Sequence, residues 1–180
     1  MESSKDATTL WDWNTDNTFG FVALPTHMVF IRAAGPPRDP ETPAIIIEAG
    51  LGHSSAYWTA VMRLIAPFAR VYAYDRSGQG DSQTSLLPRT AQNMAQELKL
   101  LLEAAGIKPP YVLVAHSFGG VTVREFLELE GEGVQGMVLV VARTEFSDAG
   151  RPEELEECLH AVFENLDFGA VLDLGEGGRG

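Results

Sequence analysis

Four short, almost wholly apolar runs, residues 44–48 (AIIIE), 71–75 (VYAYD), 111–115 (YVLVA) and 137–142 (MVLVVA), are separated by segments of helical periodicity. This alternation constrains the fold more than any other feature. A strand that is apolar at nearly every position has to be buried on both faces, which a parallel sheet covered by helices on both sides provides. The intervening stripes fit such helices. Trp58, Val61, Met62 and Ile65 form one; Ala91, Met94, Ala95, Leu98, Leu101, Leu102 and Ala105 form another, with Thr90 as N-cap and Gly106 as its stop; Val121, Val123, Phe126, Leu127 and Leu129 form a third. Two further runs, 19–25 (FGFVALP) and 27–34 (HMVFIRAA), precede the turn-rich GPPRDPETP at 35–43 and read as an antiparallel hairpin. The expected class is therefore α/β: a mostly parallel sheet with an antiparallel N-terminal hairpin and helices on both faces.

A chain of 180 residues holds one domain of this kind. Residues 1–18 read as a polar arm, 19–150 as the α/β core, 151–174 as a helical extension and 175–180 as a flexible tail. The net charge of −12 disfavours nucleic acid and anionic membrane surfaces as partners. Most of that charge falls late: residues 121–180 carry 14 acidic and 4 basic side chains, against 11 and 9 in residues 1–120. Acidic residues interleaved with leucines there read as a solvated helix face. The N-terminus has no apolar run of the signal-peptide kind, and the single cysteine, Cys158, reads as core filler. A soluble, cytoplasmic protein is expected. No His, Cys or carboxylate cluster has ligand spacing, so neither metal nor cofactor is expected.

In open sheets of this kind, ligands gather where strands deliver their carboxyl ends to loops. The run YVLVA leads straight into His116, Ser117, Phe118, Gly119 and Gly120 and then a helix. Ser117 thus sits on a sharp strand-to-helix turn, with small residues, Ala115 and Gly119, two positions to either side. That is the outline of a nucleophile elbow, although alanine stands where the strict pattern has glycine. A serine acting only as a helix cap is the plainer reading of the same turn. The loop after AIIIE, running from Ala49 and Gly50 through Leu51, Gly52 and His53 to Ser55, offers backbone N–H groups to a developing oxyanion.

Taken together, EAGLGHSSAYW, YDRSGQGDS, RTAQNMAQEL and YVLVAHSFGG, in this order and spacing over residues 44–142, resemble the α/β-hydrolase family with a serine nucleophile. The resemblance covers the first two-thirds of that fold. It implies Ser117 as nucleophile, the N–H groups of Leu51 and Phe118 as the oxyanion hole, and Gly50, His53 and His116 lining the site. It also implies a small acyl substrate, an ester, thioester or amide, and residues 151–174 as the start of a lid. His53 and His116 are poor general bases by position, His27 reads as a strand or turn residue, and Asp75, Arg76 and Asp81 as loop-shaping.

The family places its acid and histidine after the nucleophile. The only later histidine, His160, falls about 120° from the apolar stripe of its helical segment and should face solvent. Glu145 and Asp148 are the candidate acids, each with a plain surface-loop reading beside it. With no further strand evident, 137–142 becomes an exposed sheet edge, which implies a shortened hydrolase of feeble activity and self-association through that edge. Two other functions stay open. One is a non-catalytic ligand-binding module on the same fold. The other is a dinucleotide-binding domain, suggested by Gly50-Leu51-Gly52 with Asp75 beyond it, but Ser55 stands at the third glycine position.

Overall fold

A computed structural model describes residues 11–140 in full and the backbone of 171–173. The strands are β1 (Thr18–Ala23), β2 (Met28–Ala34), β3 (Ala44–Glu48), β4 (Val71–Tyr74), β5 (Tyr111–His116), β6 (Val134–Val140) and β7 (Val171–Asp173). The helices are α1 (Thr59–Ile65), entered through a 3-10 turn at Ser55–Trp58, α2 (Ala91–Ala104) and α3 (Gly119–Glu130). One sheet holds all seven strands in the order β1-β2-β4-β3-β5-β6-β7. β1 and β2 pair antiparallel, as do β2 and β4, and every pair from β4 to β7 is parallel.

The all-apolar strands are buried on alternate sides, as a doubly covered sheet requires. Ile46, Tyr72 and Leu113 join Leu98, Leu101, Leu102, Val123 and Phe126 in one core under α2 and α3. Ile45, Ile47, Val71, Val112 and Val114 join Trp58, Met62 and Ile65 in the other, under α1. Thr90 caps α2 by accepting the Asn93 N–H (3.2 Å), and Gly106 follows the helix end at φ +67°.

Three details depart from the sequence reading. α3 buries Gly119, Thr122, Val123 and Phe126, whereas Val121, Leu127 and Leu129 are exposed. The i, i+3, i+4, i+7 face is the one laid on the sheet, and it carries Gly119, Thr122, Val123 and Phe126 instead of the leucines. β6 begins at Val134, three residues before its apolar run, because backbone pairing to Tyr111 sets the start across an irregular register. β6 is also not the sheet edge: Met137, Val138 and Leu139 pair with Val171, Leu172 and Asp173 of β7. A lid over residues 151–174 and a tail at 175–180 lie outside the described residues, save for β7 itself.

The N-terminal segment is anchored from Trp11 onward. Trp13 is buried in the core, and Arg70, itself buried, donates to the carbonyls of Trp13, Asp16 and Gly35 and to Asn17 Oδ1.

β3 is flanked by β4 on one side and β5 on the other, so the chain turns one way after β3 and the other way to reach β5. At such a switch point the loops leaving neighbouring parallel strands separate and leave a crevice at their carboxyl ends. Glu48 at the end of β3 pairs with Ala115 at the end of β5, which sets the loop 49–54 beside residues 116–118.

Candidate active site

Ser117 adopts φ +52°, the one non-glycine residue with positive φ among the described residues, and it is exposed. An L-residue in this region costs on the order of 1 kcal/mol, which the surrounding structure must impose. The turn is held at both ends. Ser117 N–H donates to Val140 O (3.1 Å), fastening it to β6, and Gly120 N–H returns to Ser117 O (3.0 Å) at the start of α3. Gly119 makes the close packing feasible: a Cβ there would fall 2.6 Å from Glu48 O and 2.8 Å from Ala49 O. Ala115, buried in β5, fills the other small position.

Leu51 and Phe118 line one cavity of about 120 Å³, together with Arg76, Ser77 and residues of the α2 entry. Neither the Leu51 nor the Phe118 N–H donates to a protein acceptor among the described residues. Gly50 is packed under the histidines: a Cβ on it would meet His116 Nδ1 at 2.7 Å and His53 Nδ1 at 3.3 Å. His53 stacks between Tyr57 (4.7 Å between centroids) and His116 (5.7 Å), and Trp58 meets His116 edge-on at 6.2 Å. Burial, followed by the neighbouring His53, pushes the His116 pKa below its ordinary value. His27 is a buried turn residue whose ring lies between Thr26 Oγ1 (2.9 Å) and Ser77 Oγ (2.6 Å). The ring contacts of His53 and His116 and the hydrogen bonds of His27 all run elsewhere than Ser117.

The three loop residues singled out after β4 do local work. Asp75 accepts the N–H of Ser55 (2.6 Å) and of Asp81 (2.9 Å), joining the start of the 3-10 turn before α1 to the loop after β4. Arg76 is buried against Glu48, which is 0% exposed, and donates to Glu48 Oε1, Ala49 O and Gly50 O. Tyr74 donates its hydroxyl to Glu48 Oε2. Burial is the main force raising the Glu48 pKa, opposed by the Arg76 charge; burial and then Glu48 raise that of Tyr74 well above its ordinary value. Glu48 is the residue that sequence reasoning missed. Its trace is a carboxylate closing an otherwise apolar buried strand, a position that demands a partner. A second cluster was also missed: Ser77 Oγ donates to Glu97 Oε2 (2.8 Å) and His27 Nε2 lies 3.5 Å from Glu97 Oε1.

The candidate acids Glu145 and Asp148, with Cys158 and His160, lie outside the described residues. Among the described residues no His, Cys, Asp and Glu group is arranged to hold a metal ion, and no helix is long and apolar enough to cross a membrane.

A family model described as alpha/beta hydrolase fold matches residues 43–166. The chain is 39% identical over 140 residues to the probable transporter efuK of Hormonema carpetanum, covering 75% of this chain and 20% of that one. It is 41% identical over 128 residues to an AB hydrolase superfamily protein of Gibberella zeae, covering 68% of this chain and 40% of that one. Among solved structures, carboxylesterase CesB of Bacillus subtilis superposes with a TM-score of 0.61 at 25% identity, covering 72% of this chain and 44% of that one. The chain thus spans less than half the length of each of these three relatives. With the sheet order, the glycine-supported turn at Ser117 and a family match across more than half of its length, the chain belongs to the alpha/beta hydrolase fold family.

Proposed function

We propose that this chain carries the nucleophile and oxyanion hole of a serine hydrolase acting on a small ester, thioester or amide. The observation that carries the reading is the conformation of Ser117, exposed at φ +52° between β5 and α3. A strained serine at this turn presents its hydroxyl at the carboxyl end of the sheet, where an acyl carbonyl has room to approach. The Leu51 and Phe118 N–H groups, both without a protein acceptor among the described residues, are the donors for the negative charge that develops on that carbonyl oxygen. In the acylation step the Ser117 oxygen attacks the carbonyl carbon, its proton passes to a general base, and collapse of the tetrahedral intermediate breaks the bond to the leaving group, which takes that proton from the base and departs as an alcohol, thiol or amine. The name of CesB, a carboxylesterase, supports an ester as the substrate. A cytoplasmic setting fits a chain with a single cysteine.

The test is labelling by a fluorophosphonate probe. Labelling of the full chain at Ser117, absent in Ser117→Ala, is the expected result. A wild-type chain that stays unlabelled at probe concentrations sufficient for an ordinary serine esterase would remove the catalytic reading.

One observation favours a second reading, a ligand-binding module without catalysis: among the described residues no histidine is hydrogen-bonded to Ser117. Under that reading, ligand binding survives Ser117→Ala undiminished and no acyl-enzyme forms on mixing with p-nitrophenyl acetate.

A further inference from the structure

The geometry points to Arg76 as the positioning residue of the oxyanion hole, aiming the Leu51 N–H by gripping the other end of the same peptide unit. The inference rests on the reading of Leu51 and Phe118 as the oxyanion donors.

The peptide group joining Gly50 to Leu51 contains one carbonyl, on Gly50, and one N–H, on Leu51. The group is planar and trans, so the C=O and N–H bonds point in opposite directions and turn together. Arg76 Nη2 donates to that Gly50 carbonyl, and Arg76 Nη1 to the carbonyl of Ala49 one residue earlier. A guanidinium that holds both carbonyls toward the buried side of the loop therefore directs the Leu51 N–H away from the protein body. The His53 N–H also reaches Gly50 O, at 3.3 Å, and closes the turn from the other side. The Leu51 N–H itself has no acceptor among the described residues.

The grip is rigid because the guanidinium has nowhere to go. It is 5% exposed, its Nη1 is ion-paired to the fully buried Glu48, and Nη2 also meets Gln79 Oε1 at 3.2 Å. Tyr74 fixes the other oxygen of Glu48. Such an arrangement has an electronic effect as well as a steric one. A carbonyl that accepts from a cation in a low-dielectric setting polarises its peptide group and makes the attached N–H a stronger donor. The same guanidinium carbon lies 5.9 Å from the centroid of Phe118, the residue that supplies the other N–H. One side chain thus touches both arms of the hole.

The experiment compares wild type, Arg76→Lys, Arg76→Met and a core variant remote from the site, Leu98→Ala, in the full chain. Lysine keeps the charge opposite Glu48 but has a single point donor group, so it cannot clamp two carbonyls as a planar fork does. The expected result is fluorophosphonate labelling of Ser117 slowed about ten- to a hundred-fold in Arg76→Lys, less than the roughly hundred- to thousand-fold cost of deleting an oxyanion donor outright, because the Leu51 N–H is misaimed but still present. Leu98→Ala, although less stable, is expected to label at the wild-type rate while folded. Labelling of Arg76→Lys at the wild-type rate, or equal slowing in Leu98→Ala, overturns the inference. Residual dipolar couplings of the Leu51 N–H in the unlabelled proteins decide the matter independently of reactivity. A reorientation of that vector in Arg76→Lys, and in Arg76→Met if it folds, supports the positioning role, and an unchanged vector overturns it. A wild-type chain that never labels removes the hydrolase reading, while the couplings still decide what Arg76 does.

Discussion

His53 and His116 stack face to face, 5.7 Å between ring centroids and 10° from parallel, over the glycine that begins the oxyanion loop. Burial, and after it the neighbouring His53, hold the His116 pKa below its ordinary value of 6.5. The unfolded chain therefore binds a proton at His116 more readily than the folded one. The stability this residue contributes is present above about pH 6.5 and is lost as the pH falls through its depressed folded value. Urea unfolding midpoints at pH 7.5, 6 and 5 should fall more steeply for wild type than for His116→Asn. Parallel curves for the two proteins would contradict this origin of the acid sensitivity.

Glu48 and Arg76 form a buried pair in which each charge is costly without the other. Arg76→Met leaves a buried carboxylate facing apolar surroundings and should destabilise by about 3–5 kcal/mol, less whatever proton uptake by Glu48 recovers. The double substitution with Glu48→Met should be considerably more stable than the sum of the two single losses. Chemical denaturation of the four proteins gives the coupling energy directly, and additivity within error would show that the pair does not act as a unit.

Gly119 and Gly120 are neighbours in sequence with opposite tolerances. A Cβ at Gly119 runs into the carbonyls of Glu48 and Ala49, whereas one at Gly120 meets Leu139 Cδ2 at 3.7 Å, an ordinary contact. Gly119→Ala should cost about 1–3 kcal/mol through overpacking and should slow any reaction of Ser117. Gly120→Ala should be neutral or stabilise by up to about 1 kcal/mol, since alanine suits a helix better than glycine. Melting temperatures of the two variants, read side by side, test the packing assignment.

The positive φ of Ser117 predicts that Ser117→Gly stabilises the fold by about 1 kcal/mol while abolishing covalent labelling. Ser117→Ala removes the hydroxyl but keeps the strain and should show no comparable gain. Equal stability of the glycine and alanine variants would mean that the turn carries no strain.

The sheet and its helices were legible because burial on two faces leaves a sequence mark, an unbroken apolar run such as 111–115, that few other environments produce. The turn at Ser117 was legible for a related reason: the close approach of Gly119 to the carbonyls of Glu48 and Ala49 admits no side chain, and that requirement shows in the sequence as a glycine two positions after the serine. What stayed hidden depends on contacts between distant residues. Arg76 was read correctly as loop-shaping, yet its partner Glu48 is 28 positions away and only strand order brings them together. The pairing of β6 with β7 was invisible because three residues, 171–173, carry too little pattern to mark a strand. The outward turn of Leu127 and Leu129 shows the converse: apolar character placed α3, but which of its faces meets the sheet was decided by how closely Gly119 approaches β3.

Arg70 grips the N-terminal segment mainly by its main chain, with the carbonyls of Trp13 and Asp16 as acceptors and a single side-chain contact at Asn17, while a further bond to Gly35 O ties it to the turn after β2. Since every residue type offers the same carbonyl, evolution is free to rewrite the polar letters between Trp13 and Asn17 without loosening this clasp. Shortening the strand of chain that passes through it is another matter, for that would leave a sealed cation with its acceptors withdrawn.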